Sequence, residues 1–363
     1  MLSFSHDGFR REHFLNDFLD TSSAQVAFSK KGNYQVNGSM ISLEAGGGSL
    51  INFLSCYSLP LYSQRLDGQQ IALSPIAMAL TQKLFPLLSF LPMKTDRSIA
   101  FGSIDAKLQD SGFAPGSSML QLETKSDVFL FASKISGVSS SFAAELSTTN
   151  VRGLYLRIPD GYEPNLDSYT SLSLLPKRLK TYLSQPTSRE SSPCIVMATE
   201  GFGELLAICS VLLPHFSVSC EKETLSTLKF LAQQPSVPTP LAEKLKKLVH
   251  SLLEVSQPAQ IHLFPKQLLL NCAPSPQPHQ TFLWFGTDFL AWNHLATTRS
   301  CPWKILSGFS WGCSPVDYQE IIAKTNCEQI VLLGNPSESW ERLFRQLKVP
   351  FSWLRGAPTL GLF

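Results

Sequence analysis

An excess of charge of either sign is missing from this sequence: 30 basic residues stand against 28 acidic ones, for a formal net charge of +2. Bulk charge therefore gives no case for a polybasic membrane binder or a basic nucleic-acid coat protein. No two of the eight cysteines are spaced C-x-x-C, and no two of the seven histidines form H-x-H or H-x-x-x-H. This excludes the common zinc-ribbon and helical zinc patterns. An uninterrupted apolar run of membrane length is also lacking. The best candidate, Ile71–Met93, is broken by Pro75, Gln82, Lys83, Pro86 and Pro92, short of the ~18 apolar residues a span requires. The opening residues MLSFSHDGFRREHFLND carry charge where a signal peptide needs an apolar core, so the expectation is no secretion signal, no membrane partner and a cytoplasmic protein with reduced thiols.

What the chain has is apolar mass. Residues of hydrophobic type make up 44% and charged residues only 16%, which points to a well-buried α/β globule and away from disorder. At 363 residues there is room for one large domain or two ordinary ones.

The stretch Asp110–Lys134 reads as a Gly-Ser turn, a strand over Met119–Glu123, a short polar turn and a second strand over Val128–Ala132. Ahead of it, Val36–Glu44 and Ser49–Leu54 flank Ala45-Gly46-Gly47-Gly48, a pattern that predicts a β-hairpin. Ser74-Pro75 opens a helix through Leu84, with proline in the first turn where it has no N–H to leave unpaired. Val151–Ile158 predicts a strand, and Arg10–Leu19 a short helix. Further on, Cys194–Ala198 reads as a strand and Glu204–Leu213 as a helix. The Thr199–Gly203 turn between them has the outline of a phosphate-binding turn but lacks G-x-G-x-x-G and the Walker lysine, so a plain tight turn is the favoured reading. Leu241, Leu245, Leu248, Leu252 and Val255 make one apolar helical stripe, with Lys244, Lys246 and Lys247 read as its solvated face. All six tryptophans follow Phe282. The last fifty residues alternate helix Val316–Lys324, strand Gln329–Gly334, helix Ser337–Leu347 and strand Pro350–Leu354, a layered α/β pattern.

Several stretches, in order along the chain, resemble the metallo-β-lactamase-fold nucleases with an inserted β-CASP domain, among them mRNA 3′-end-processing nucleases and DNA-ligase-associated exonucleases. Gly38–Glu44 matches the family's G-S-x-x-x-L-E. The family's S-H-x-H-x-D-H falls on Ser55–Leu61, where Cys56, Ser58, Pro60 and Leu61 replace the ligands. Its A-G-H-x-x-G-S falls on Ser111–Ser117, with Phe113 in the histidine's place; the aspartate that ends the next strand becomes Lys134. E-S-T-Y-G becomes Arg157–Gly161. The F-A-x-G-R-x-Q-E-L helix start resembles Cys194–Leu206, with Glu204-Leu205-Leu206 the clearest remnant. S-D-H-A-D-W becomes Cys313–Tyr318, with Pro315 for the histidine and Asp317 retained, and the final histidine becomes Leu333.

The resemblance implies a four-layer αββα metallo-β-lactamase-like sandwich from residues 1–165 and 285–363, with a β-CASP-like α/β insert over 166–284. In the family, imidazoles and carboxylates hold metals that lower the pKa of a bound water. Here each of those positions carries another residue, and Lys134 reverses the charge. The expectation is a pseudo-nuclease without metal or cofactor, acting as scaffold or partner in nucleic-acid processing, paired with an active homologous nuclease or another protein. Lys134 and Arg157 are the candidate phosphate contacts for single-stranded nucleic acid. The alternative is a hydrolase or nuclease with a relocated site using Ser310, Cys56 or carboxylates assembled by folding. Gly308–Gly312 fits G-x-S-x-G by letter, yet no histidine follows His294 and Pro315 comes too soon for the helix that an elbow requires.

Overall fold

Asn37-Gly38 separates two short β-forming runs, and in the computed structural model those runs pair antiparallel, with Val36 opposite Ser39 and Tyr34 opposite Ile41. Asn-Gly at a two-residue connection is a strong hairpin signal. The hairpin expected across Ala45–Gly48 is not what forms: Ile41 lies opposite Ile51 in a parallel pair. The second of these strands is only three residues long, so the chain needs to cover little distance to re-enter in the same direction. The structure describes residues 26–28, 33–36, 39–43, 51–55, 70–158, 171–184, 193–266, 277–286, 302–333 and 338–354, with short gaps inside the longer runs. The expected helix Arg10–Leu19 lies outside them.

The first sheet holds β1 (Val26–Phe28), β2 (Asn33–Val36), β3 (Ser39–Leu43), β4 (Ile51–Phe53), β5 (Gln70–Leu73) and β6 (Ser89–Pro92), adjacent in that order. Helix α1 (Pro75–Leu84) follows β5. Leu54, Ile71 and Leu73 pack with Ala77 of α1. Phe53 and Ala72, of opposite parity, share a core instead with Leu108, Leu120 and Phe131 of the second sheet, as the two-residue period of a strand requires.

The chain continues through β7 (Ser98–Phe101), β8 (Ile104–Asp110), β9 (Ser118–Glu123), β10 (Val128–Ala132) and β11 (Gly153–Arg157). A long excursion follows: α2 (Leu175–Leu183), β12 (Cys194–Thr199), α3 (Gly201–Leu212), β13 (Val218–Cys220), α4 (Lys222–Ala232), α5 (Thr239–Ser251), β14 (Leu253–Glu254), β15 (Ile261–Pro265), β16 (Gln280–Trp284) and β17 (Lys304–Ile305). It returns through α6 (Pro315–Thr325), β18 (Gln329–Leu333), α7 (Glu338–Gln346) and β19 (Phe351–Leu354). The second sheet runs β19-β18-β11-β10-β9-β8-β7. Strand β18 lies directly beside β11 in parallel, Tyr155 opposite Val331, so the whole excursion is inserted between two neighbouring strands. One face of this sheet contributes Tyr155 and Val331 to the core shared with the first sheet. The other, through Leu154, Leu156, Ile330 and Leu332, packs on Tyr318 and Ile321 of α6 and on Trp340, Leu343 and Phe344 of α7. Strands buried on both faces read as apolar runs such as QIVLL, as parallel strands between layers do.

The excursion builds a third sheet, ordered β14-β13-β15-β12-β16-β17 and parallel throughout. Ile195, Met197, Ile261 and Leu263 face α2–α5. The expected boundary at 284 cuts this sheet, because β17 pairs beside Trp284 and carries the unit to Ile305. The architecture is α/β with parallel and mixed sheets. Among the described residues no helix is long and apolar enough to cross a membrane.

Candidate functional site

The turn between β8 and β9 is built from within. Gly112 and Gly116 adopt φ of 73° and 75°, values that glycine reaches without steric cost. Ser117 Oγ accepts hydrogen bonds from Ser111 Oγ and from the Ala114 N–H, each at 2.8 Å, and donates to the Ala114 carbonyl. Ser74 caps α1 by accepting from the Ala77 N–H at 3.2 Å, and it donates to the Gly116 carbonyl at 2.5 Å. The Ser118 N–H donates to the Ser55 carbonyl at 2.6 Å, so the turn meets the start of the Ser55–Leu61 stretch. Cys56, Ser58, Pro60 and Leu61 themselves lie outside the described residues, as do Ser310 and Gly161.

Phe113, in the place where the resembled family has a histidine, is only 8% exposed. Its ring belongs to the core that contains α2–α5 together with Phe309 and Trp311, and Trp311 Nε1 donates to the Phe113 carbonyl at 2.9 Å. A methyl at Gly312 would overlap ring atom Cδ2 and stand 2.5 Å from Cε2, while one at Gly203 would stand 2.5 Å from the Phe113 carbonyl oxygen. Backbone therefore closes on Phe113 from two sides. The Lys134 ammonium sits 5.8 Å from the ring centroid, within cation–π range.

Strands β10, β11 and β18 end at one edge, Ala132 opposite Leu156 and Leu156 opposite Leu332. Lys134 lies two residues past β10 at that edge, and Arg157 pairs there with Leu333. Leu333 is buried in the core between the first two sheets. Pro315 opens α6. Asp317, fully buried in the first turn, accepts from Ser136 Oγ at 3.2 Å, and Tyr318 Oη donates to the Arg157 carbonyl at 3.3 Å. The structure thus brings Phe113, Lys134, Arg157, Leu333 and the Pro315–Asp317 segment to one locality. As a donor set the described positions among them, Phe113, Lys134, Pro315 and Leu333, do not fit a metal. A phenyl ring, a proline and a leucine have no lone pair to give, and an ammonium repels a cation. Among the described residues no group of three or more His, Cys, Asp or Glu could hold one.

The turn after β12 has its own content. Gly201 takes φ of 53°, and Glu204 supplies a negative charge in the first turn of α3, where the helix dipole favours it. Its carboxylate lies 3.6 Å from the Lys266 ammonium, both side chains buried, and that ammonium stands 5.1 Å over the Trp284 ring. Lys244, Lys246 and Lys247 are exposed, and Lys246 pairs with Glu243 at 2.8 Å, a solvated face.

Sequence reasoning missed a buried polar chain across β13 and β15. His262 bonds Ser219 Oγ through Nδ1 at 3.2 Å and Glu221 Oε1 through Nε2 at 3.1 Å. The residues are far apart in sequence, and only the register that sets Ser219 opposite His262 joins them. Ser219 is buried, so the trio works as a satisfied polar network rather than as a nucleophile with access to substrate. Burial holds the His262 imidazole below its usual range, against the opposing pull of the Glu221 carboxylate and its hydrogen bonds. The unfolded chain therefore takes up the proton more readily, and the stability from the neutral His262 is full above pH 6.5 and is lost as pH falls below it toward the lower folded-state value. The expected result is a denaturation midpoint that drops between pH 7.5 and 5.5, with the slope reduced in His262→Gln.

The described cysteines offer no activated nucleophile. Burial pushes Cys220 up to about 12, with a smaller push from the Glu221 carboxylate, and Cys209 well above the ordinary thiol range, with a smaller push from the Cys220 thiol; burial also raises Cys194 and Cys327. A reactive thiolate needs the opposite shift. No protein-family model matches the chain, and no curated protein matches it.

Proposed function

We propose that this chain is a catalytically silent relative of the metallo-β-lactamase/β-CASP nucleases, serving in the cytoplasm as a scaffold or partner in nucleic-acid processing. The observation that carries the reading is the closure around Phe113. In the resembled family a ligand stands after the first glycine of this turn. In this chain a buried phenyl ring stands there, walled by Gly312 and Gly203 and faced by an ammonium. The arrangement supports the finer fold reading too. The reading of an αββα sandwich is supported by the packing of α1 on the first sheet, of the first sheet on the second and of α6 and α7 on the second, and that of a β-CASP-like insert by the parallel third sheet lying in sequence between β11 and β18.

A partner role follows from chemistry that is absent at the substituted positions together with a scaffold that is kept. The partner is an active homologous nuclease or another processing protein. Lys134 and Arg157, at the carboxyl edge of β10 and β11, offer positive charge to a phosphate without a means to cleave it. The expected result is salt-dependent binding of single-stranded RNA or DNA, measured by fluorescence anisotropy. In Lys134→Ala/Arg157→Ala the slope of log affinity against log salt falls by roughly 0.7 for each lost phosphate contact. Equal affinity and slope in the wild type and the double variant would remove the nucleic-acid part of the proposal.

A further inference from the structure

Charge of one sign gathers on α2. No acidic residue stands between Asp167 and Glu190, whereas Lys177, Arg178, Lys180 and Arg189 fall inside that stretch. Leu175 and Leu179 hold the helix to the core of the insert. At about 100° per residue, Lys177, Arg178, Lys180, Thr181 and Ser184 fall on the opposite arc, and all five are exposed. Other cationic helices neutralise themselves within a turn: Glu243 pairs with Lys246 on α5, Glu320 with Lys324 on α6 and Glu341 with Arg345 on α7. Among the described residues, no ion pair includes Lys177, Arg178 or Lys180.

This arrangement costs the free protein in two ways. Lys177 and Lys180 are like charges at i, i+3, which repel on a helix surface. Lys177 and Arg178 also lie in the first turn, which holds no acidic residue, and there the helix dipole disfavours a cation. A polyanion laid on the face relieves both costs. A convex helix face encloses no small anion, so affinity has to come from several charges met at once, as a chain of phosphates meets them with release of its counterions. A bilayer fits less well, because Leu175 and Leu179 are turned into the core and leave no apolar face to insert. A nucleic acid fits better than an acidic peptide. Arg178 has a planar guanidinium, and Tyr182, four residues on, is partly exposed; both groups can stack on a base. We propose that the exposed face of α2 is a docking surface for single-stranded nucleic acid, with Lys177, Arg178 and Lys180 as its phosphate contacts. The surface lies on the insert, and it does not depend on the Lys134 and Arg157 contacts above.

The test follows labelled oligouridylate and oligothymidylate on the full chain by fluorescence anisotropy across a salt series. In Lys177→Gln/Arg178→Gln/Lys180→Gln the slope of log affinity against log salt is expected to fall by about 2, at roughly 0.7 for each lost contact. Lys244→Gln/Lys246→Gln/Lys247→Gln removes the same charge from α5 and is expected to keep a slope close to that of the wild type. Glutamine keeps helix propensity, and the α2 variant loses a repulsion, so its melting temperature is expected to be no lower than that of the wild type. That separates a lost contact from a lost fold. An unchanged slope in the α2 variant overturns the proposal; a slope that falls in Lys134→Ala/Arg157→Ala at the same time leaves the earlier reading standing. Equal falls in the α2 and α5 variants also overturn it, because net charge alone then sets the slope. Absence of salt-dependent binding by the wild type overturns both readings. Polyglutamate bound as tightly as the oligonucleotides overturns this one in favour of an acidic protein segment. Vesicles containing phosphatidylserine, bound where the oligonucleotides are not, overturn it in favour of a membrane.

Discussion

Gly112→Ala is expected to leave little folded protein. A methyl at this position would overlap the Ser136 carbonyl oxygen and stand 3.3 Å from the Ser136 carbonyl carbon. Ser136 cannot easily give way: its N–H donates to the Ser111 carbonyl at 2.9 Å and its hydroxyl to Asp317 at 3.2 Å. The backbone at Gly112 has φ of 73°, which alone costs a non-glycine residue about 1–2 kcal/mol. Overlap with fixed backbone adds to this, and a total of about 4 kcal/mol or more is expected, in the class of exceptional single substitutions. Gly201→Ala is the internal control. Its φ is also positive, at 53°, but among the described residues no atom beyond its chain neighbours and its own helix backbone lies within 4 Å of the added carbon, so only the conformational part, about 1 kcal/mol, is expected. Chemical denaturation of both variants checks the contrast. Similar losses in the two would mean that the turn is not braced by Ser136 as described.

Breaking the Glu204–Lys266 pair is the second large effect. The two side chains are buried, 3.6 Å apart, and join the first turn of α3 to the end of β15. Removing one charge takes from the other its buried counter-charge, at a cost of about 3–5 kcal/mol, whereas removing both together is often close to neutral. Glu204→Gln and Lys266→Met are each expected to lower stability by that amount. The double variant is expected to be more stable than either single one, because the coupled residues are not additive. Urea or guanidinium midpoints of the three variants measure this. A double variant that loses the sum of the two single losses would show that the residues act independently.

Local pattern was legible where the physics is local. The Gly-Ser turn and the two strands after it form as Ser118–Glu123 and Val128–Ala132, because turn glycines and apolar alternation sit within a few residues of one another. The closing helix–strand–helix–strand run is likewise in place over Pro315–Leu354. The glycine-rich 45–48 segment misled, since glycine permits a reversal without setting strand direction. Strand β15 was missed because His262 and Pro265 interrupt its apolar run, and its identity rests on pairing with β12 and β13. Helix α2 was missed for a related reason: Leu175 and Leu179 are its buried apolar leucines, among lysines and an arginine.

The candidate site divides in the same way. That Phe113 and Lys134 stand where the resembled family has metal ligands is readable from one turn and one strand. That the ring is sealed is not, because the Trp311 indole comes from far along the chain and the Gly312 and Gly203 contacts are set by how three elements pack. The same holds for Ser219 and His262, which no spacing rule connects.

The central claim, that substitution has silenced the site, is tested most directly by metal content and cleavage on one preparation. Purified protein is assayed for bound zinc and manganese by elemental analysis, then incubated with single-stranded RNA and DNA in the presence of each added metal. The account predicts substoichiometric metal and intact nucleic acid in every condition. Stoichiometric metal together with cleavage that metal removal abolishes would contradict it, and would place the chemistry on residues other than Phe113, Lys134, Pro315 and Leu333.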